Sequence, residues 1–178
     1  MKEYFWLTQE LRENFFDVII PDSVIYTSDL IKGNLSHLDR VTLLKIGSSV
    51  KKDVEIDVCD RGLFMISKKV KSVFDLFLPF LEYREICAFD GKRKQFHYFH
   101  VPLLPFSDIK TERIRVQDGR EDYSLKLSCD TVPKKDILKV RNHISSYVLV
   151  SLMVAESIMN MDVQNVRLIP VEIEYDNF

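Results

Sequence analysis

The sequence is poor in residues that interrupt a fold or build a covalent framework. It holds only five glycines, six prolines and three cysteines in 178 residues. No stretch rich in Gly, Ser or Pro divides the chain, so we expect a single domain over 1–178. Cys59, Cys87 and Cys129 are widely spaced and lie outside any CxxC pattern, which predicts reduced, partly buried thiols.

Long apolar runs are also missing. A membrane-spanning helix needs about 18 uninterrupted apolar residues, and the closest segment, Val73–Leu81, contains Asp75 and Pro79. Acidic side chains interrupt the first ten residues too early for a secretory signal. These patterns predict a soluble, cytoplasmic protein.

Signatures of common enzyme chemistry are absent. The chain has no Gly-rich phosphate loop, no GxSxG elbow and no HExxH helix. His97 and His100 form an HxxH pair, but on a strand residues three apart point to opposite faces, so we expect no metal site. We predict no catalytic residues and no cofactor. A small hydrolase stays open as an alternative, because catalytic groups can come together from distant positions.

Basic residues concentrate in the middle of the chain although the net charge is −2. Residues 61–115 hold 11 basic and 6 acidic side chains, with runs at Lys68–Lys71 and Lys92–Lys94. These runs fall at a predicted helix start and a predicted turn, and no nucleic-acid motif accompanies them. We therefore expect no nucleic-acid partner and no membrane partner.

Two segments of the chain share one pattern. Leu63–Val70 and Tyr147–Val154 are both apolar runs that reach a serine, Ser67 or Ser151, at the same position. Serine is a natural helix N-cap, and an amphipathic stretch and a second strand-like run follow in each case. The pattern predicts two similar strand-Ser-helix-strand modules at about 62–90 and 146–175.

Hydrophobic periodicity completes the predicted fold. The first helix is expected to pack through Val70, Val73, Phe74, Phe77 and Leu78, and the second through Val154, Ala155, Ile158 and Met159. Strands are predicted at 17–20, 41–46, 53–58, 63–66, 85–89, 95–101, 109–117, 123–129, 147–150, 166–169 and 171–175. Strands and short helices interleave irregularly, which favours an α+β fold with a mixed or antiparallel sheet.

Two rows of carboxylates are candidate partner-binding residues. Strict alternation places Asp53, Glu55 and Asp57 on one strand face, and Glu172, Glu174 and Asp176 on another. A solvated sheet face explains such rows in the ordinary way. The alternative is an acidic surface that attracts and selects a basic partner.

The modules carry a family resemblance. Tyr147–Ser151 with its short helix, followed by Val166–Glu172, resembles a bacterial family first described as a domain of unknown function and now grouped with immunity proteins of polymorphic toxin systems. Gly62–Val73 and the aromatic strand Phe96–Val101 are similar to the central region of that family. The matched parts cover about 90 of the 178 residues.

The resemblance implies an intracellular bacterial protein that neutralises a cognate toxin by binding and occluding it. The family motif designates no contact residues, so the acidic rows are the expected contact surface. The alternatives are a small hydrolase and an oligomeric structural protein. The sequence does not specify the oligomeric state.

Overall fold

The computed structural model describes residues 2–10, 18–21, 23–24, 35, 38–47, 55–115, 123–129, 133–142 and 145–175. The strands of this part of the chain are β1 (Tyr4–Gln9), β2 (Val18–Ile19), β3 (Val41–Ile46), β4 (Val58–Cys59), β5 (Met65–Ile66), β6 (Tyr83–Asp90), β7 (Gln95–Pro102), β8 (Lys110–Arg115), β9 (Tyr123–Cys129), β10 (Ile137–Arg141), β11 (Ser146–Ser151) and β12 (Val166–Tyr175). The helices are α1 (Lys68–Phe77) and α2 (Leu152–Met159).

The strands form two mixed six-stranded sheets. Sheet 1 has the order β4-β5-β7-β6-β3-β2, and sheet 2 has the order β10-β11-β1-β12-β9-β8. In sheet 1 the β6 and β3 pair is parallel, in sheet 2 the β12 and β9 pair is parallel, and the other neighbours are antiparallel. Position by position, the two sheets therefore have the same pairing sense. The structure combines strands with two helices, as the predicted α+β class requires, but the strands form two mixed sheets where one was predicted.

Strand β1 holds in sheet 2 the place that β7 holds in sheet 1. The sequence did not reveal this strand, because 3–16 shows no clean period. Both faces of β1 are covered. Tyr4 packs with Leu125 and Leu149 of sheet 2, whereas Leu7, on the other face, packs with residues of the two helices. A strand buried on both faces loses the alternation of apolar and polar residues that marks a half-exposed strand.

Each helix begins directly after a strand. Ser67 is the N-cap of α1, and its Oγ accepts a hydrogen bond from the Val70 N–H at 3.5 Å. Ser151 is the N-cap of α2 but makes no such bond; its Oγ donates to Asp136 Oδ1 at 2.8 Å. The predicted packing faces are confirmed except at Met159, which is exposed.

Three hydrophobic clusters form the core. One cluster lies against one face of sheet 1 and includes Leu44, Met65 and Phe99. Another lies against one face of sheet 2 and includes Leu125 and Leu149. The third, which we call the central core, joins both helices to strands of both sheets; its members include Leu7, Val58, Ile66, Val70, Phe74, Ile137, Val148, Val154 and Ile158. The two sheets therefore share buried contacts through the helices.

Two strand predictions were wrong. Residues 55–57 are not strand, and β4 begins only at Val58. At the other end of the chain, β12 runs through Pro170 rather than breaking there. Proline is tolerated because β12 changes its main partner at that point: residues up to Pro170 pair with β1, and residues from Val171 onward pair with β9.

The strands predicted at 109–117 and 123–129 are observed as β8 and β9, and they pair antiparallel. Neither described helix is long and apolar enough to cross a membrane.

Candidate functional site

Asp57 does not belong to an exposed acidic row. Its side chain is only 2% exposed. Its carboxylate accepts hydrogen bonds from the Ser67 hydroxyl and, at 2.7 Å, from the Gln164 N–H. Asp57 therefore ties the start of α1 to the segment that leads into β12. The exposed strand face that made it a candidate for partner binding is not observed. The cause is the missing strand: without the extended conformation over 55–57, alternation no longer sets which way Asp57 faces.

Asp136 occupies the matching place before β10. The Ser67 N–H donates to the Asp57 carbonyl at 2.9 Å, and the Ser151 N–H donates to the Asp136 carbonyl at 2.8 Å. In both places the serine hydroxyl also bonds to the aspartate carboxylate. Asp136 is less buried and pairs with Lys2 at 3.0 Å.

The remaining predicted contact residues divide between the two ends of the chain. Glu55 is exposed, and its carboxylate pairs with the Lys69 ammonium at 2.5 Å. Glu172 and Glu174 are both exposed on β12 and point to the same side. Asp53 and Asp176 lie outside the described residues. The structure thus keeps Glu172 and Glu174 together and separates them from Glu55.

We define the outer face of sheet 2 as the exposed side of β8, β9 and β12. Its charged members are Lys110, Glu112, Lys126, Glu172 and Glu174. Register places Glu112 and Glu172 on either side of Lys126, whose ammonium lies 2.8 Å from the Glu174 carboxylate. The hydrogen bond to Glu174 raises the pKa of Lys126, with smaller electrostatic contributions from the other two glutamates. This face therefore carries three carboxylates around one lysine, which forms an ion pair with Glu174.

The sequence did not indicate Glu112 as a contact residue. Strand β8 alternates only partly, and nothing in its sequence predicts that β8 lies on the same sheet face as β12. The signal that links them is the parallel pairing of β9 with β12, which joins residues almost fifty positions apart. Parallel pairs of this kind have no local sequence signature.

We define the outer face of sheet 1 as the corresponding side of β2, β3, β6 and β7. Register aligns Leu43, Cys87 and Tyr98 in one row across three strands. Val41 and Phe96 lie on the same side, and each of these two is more than half exposed. This face is therefore largely apolar, in contrast to that of sheet 2.

A polar cluster closes one end of the outer face of sheet 1. The Tyr83 hydroxyl donates to Asp75 Oδ1 at 2.8 Å, and the Lys71 ammonium lies 2.6 Å from Asp75 Oδ2 and 4.4 Å from the Tyr83 ring centroid. Burial and the bond to Asp75 raise the pKa of Tyr83, and burial together with Lys71 lowers the pKa of His100. The bonds among Lys71, Asp75 and Tyr83 fasten α1 to β6.

The two histidines of the HxxH pair lie on β7, as predicted. His100 lies on the outer face beside Tyr98, whereas His97 has the orientation of the buried Phe99. Within the described residues, no group of three or more His, Cys, Asp or Glu side chains is arranged to hold a metal ion.

An open groove of about 490 Å³ lies beside the end of α1. Apolar side chains dominate its lining, with Lys135, Glu82 and Ser107 as polar members. Phe80 stands at the groove and is 96% exposed.

Asp60 provides a pH-dependent test of the packing between β1 and the segment after β4. Burial raises the pKa of Asp60, against the opposing effect of the Thr8 hydroxyl that donates to its carboxylate. A raised pKa in the folded state means that the folded protein holds the proton more tightly, so Asp60 lowers stability as the pH rises through its folded pKa.

We expect Asp60→Asn to remove this penalty. The free energy of unfolding of the variant minus that of the unmodified protein should rise as the pH increases above 3.8, the ordinary pKa of Asp. Urea denaturation of both proteins from about pH 4 to pH 7 measures the difference. If the difference in free energy of unfolding between the two proteins is constant or falls with pH, burial does not raise the pKa of Asp60.

No protein-family model matches the chain, and no curated protein sequence is significantly similar to it. The resemblance to immunity proteins therefore stays a prediction from the sequence.

Proposed function

We propose that the protein binds another protein, and that it neutralises a bacterial toxin by occluding the toxin's functional surface. The observation that carries the proposal is the outer face of sheet 2, where Glu112, Glu172 and Glu174 surround Lys126. Glu112 stands on β8, and Glu172 and Glu174 stand on β12, on either side of the hydrogen-bonded strand β9. Paired strands present these charges rigidly and thus at low entropic cost. A cationic surface on the partner is the complementary chemistry.

The test compares two triple variants of equal net charge. Glu112→Lys, Glu172→Lys and Glu174→Lys together reverse the proposed face, whereas Glu55→Lys, Glu82→Lys and Glu156→Lys reverse three exposed glutamates elsewhere. Both variants should fold, because all six side chains are exposed. The partner is to be sought as the product of a toxin gene adjacent to the gene for this chain.

We expect the first variant to bind the partner at least about tenfold more weakly and the second to bind within about threefold of the unmodified protein. Isothermal titration calorimetry measures both. Equal affinities of the two variants would remove this face from the interaction. A neighbouring gene product that binds neither form, and whose activity the protein leaves unchanged, would count against toxin neutralisation itself.

We also propose that the chain consists of two copies of one module, each with a strand, a capping serine, a helix and a second strand. The shared strand order of the sheets and the two aspartate–serine caps support this. If the two serine–aspartate hydrogen bonds are equivalent, Ser67→Ala and Ser151→Ala should each lower the free energy of unfolding by about 1 kcal/mol. Thermal or urea unfolding of both variants checks this, and a large cost at one site with none at the other would argue against equivalence.

A further inference from the structure

The outer face of sheet 1 exposes more apolar surface than its fold requires. Its exposed apolar side chains are Ile19, Val41, Leu43, Phe96 and Tyr98, and each is more than half exposed. They stand on β2, β3 and β7, and β6 places the half-buried Cys87 and Phe89 between β3 and β7. A continuous apolar patch of this size on a soluble protein marks an interaction surface.

Sheet 2 shows that the fold tolerates charges at these positions. Leu43 lies between the buried Thr42 and Leu44 and pairs with Cys87 across the parallel strands. Lys126 lies in the same way between buried leucines and pairs with Glu172 across the corresponding parallel strands. Strand order and pairing sense are the same, yet one face is charged and the other apolar. Packing within the chain therefore does not account for the apolar residues of sheet 1.

We propose that this face binds a second copy of the same chain, sheet against sheet. Apolar sheet faces bury one another by stacking about 10 Å apart. Five side chains of this size leave on the order of 500 Å² open on each copy, so that two copies bury on the order of 1,000 Å² in total, which is enough for a reversible dimer.

The charges at the rim of the face are self-complementary. Lys45 lies in the row at one end, and Glu85 lies two rows away at the other end. A two-fold axis that crosses the strands along the Leu43–Cys87–Tyr98 row turns the second copy end to end. Each Lys45 then comes next to Glu85 of the second copy, while the uncharged middle rows stack on each other. A single self-complementary patch is what a two-fold dimer needs.

The first experiment measures the oligomeric state by sedimentation velocity from about 1 to about 200 µM, a range that brackets an interface at the lower size limit. The disrupting variant is Leu43→Lys with Phe89→Glu, which places on sheet 1 the diagonal pair that Lys126 and Glu174 form on sheet 2. The matched control is Leu76→Lys, at a position that is 78% exposed on α1.

We expect concentration-dependent dimers for the unmodified protein and for the control, and at least about tenfold weaker association for the disrupting variant. Circular dichroism and thermal unfolding establish that each variant is folded. If the double variant does not fold, Tyr98→Lys replaces it, because that side chain is 71% exposed.

The second experiment locates the interface with a short bismaleimide in a Cys129→Ser background. Cys59 is fully buried and unreactive, so Cys87 is the reporter on the axis. We expect a crosslinked dimer that the disrupting variant loses. A protein that stays monomeric throughout, or a dimer that neither reacts through Cys87 nor weakens on substitution of this face, overturns the proposal. Neither result bears on the acidic face of sheet 2.

Discussion

Replacement of Asp57 by alanine is expected to lower the free energy of unfolding by about 3 kcal/mol, because it leaves buried hydrogen-bond donors without an acceptor. The Ser67 hydroxyl and the Gln164 N–H both bond to this carboxylate, which is 2% exposed. The loss acts on two elements at once, the start of α1 and the approach to β12. Urea unfolding monitored by circular dichroism measures the change.

Glu55→Ala is the matched control, since it removes the neighbouring carboxylate from an exposed pair with Lys69. Exposed pairs contribute little, and we expect a loss of less than about 0.5 kcal/mol. If Asp57→Ala costs as little as Glu55→Ala, the buried hydrogen bonds of Asp57 do not stabilise the fold as described.

Replacement of Phe74 by alanine should cost about 4 kcal/mol, the usual range for deletion of a fully buried aromatic ring. Phe74 lies in the central core, where α1 and α2 meet strands of both sheets. Because both sheets contribute to this core, the variant should still unfold in one cooperative transition at a lower denaturant concentration.

Leu76→Ala on the same helix provides the control, because that side chain is largely exposed. We expect it to change stability by less than about 0.5 kcal/mol. Two separate transitions for Phe74→Ala, one for each sheet, would show that the central core does not couple the halves of the molecule.

Local patterns predicted the parts of the fold that local physics determines. The face of α1 was predictable because Val70, Val73 and Phe74 recur at helical spacing. The strand Val41–Ile46 was predictable because it is β-branched and apolar and is followed by Gly47-Ser48-Ser49. The hairpin of β6 and β7 was readable from its aromatic strand and the turn at Asp90 and Gly91.

Features set by contacts between distant segments were not predictable. Strand β1 is buried on both faces, so it lacks a period, and β10 is buried along four of its five residues. Asp57 looked like one member of an alternating row, but the fold turns it inward to meet Ser67 and Gln164. Both outer faces also depend on long-range pairing, which places Glu112 and Glu172 on either side of Lys126, and Leu43 and Tyr98 on either side of Cys87.

The outer faces of the two sheets differ in chemistry although their strands are arranged alike. The same strand arrangement supports a charged surface on one sheet and an apolar surface on the other. Charged faces favour fast and selective association, and apolar faces supply the area that holds a complex together. This contrast supports both proposals, a cationic partner for sheet 2 and a second copy of the chain for sheet 1.

The most direct test of partner binding is chemical footprinting of carboxylates with glycine ethyl ester and a carbodiimide, in the free protein and in the complex with the adjacent toxin. Peptide mass spectrometry should show that Glu112, Glu172 and Glu174 lose reactivity on binding, while exposed carboxylates such as Glu55 and Glu82 keep theirs. Unchanged labelling of the three glutamates in a saturated complex would contradict the account, because the toxin would then bind elsewhere on the molecule.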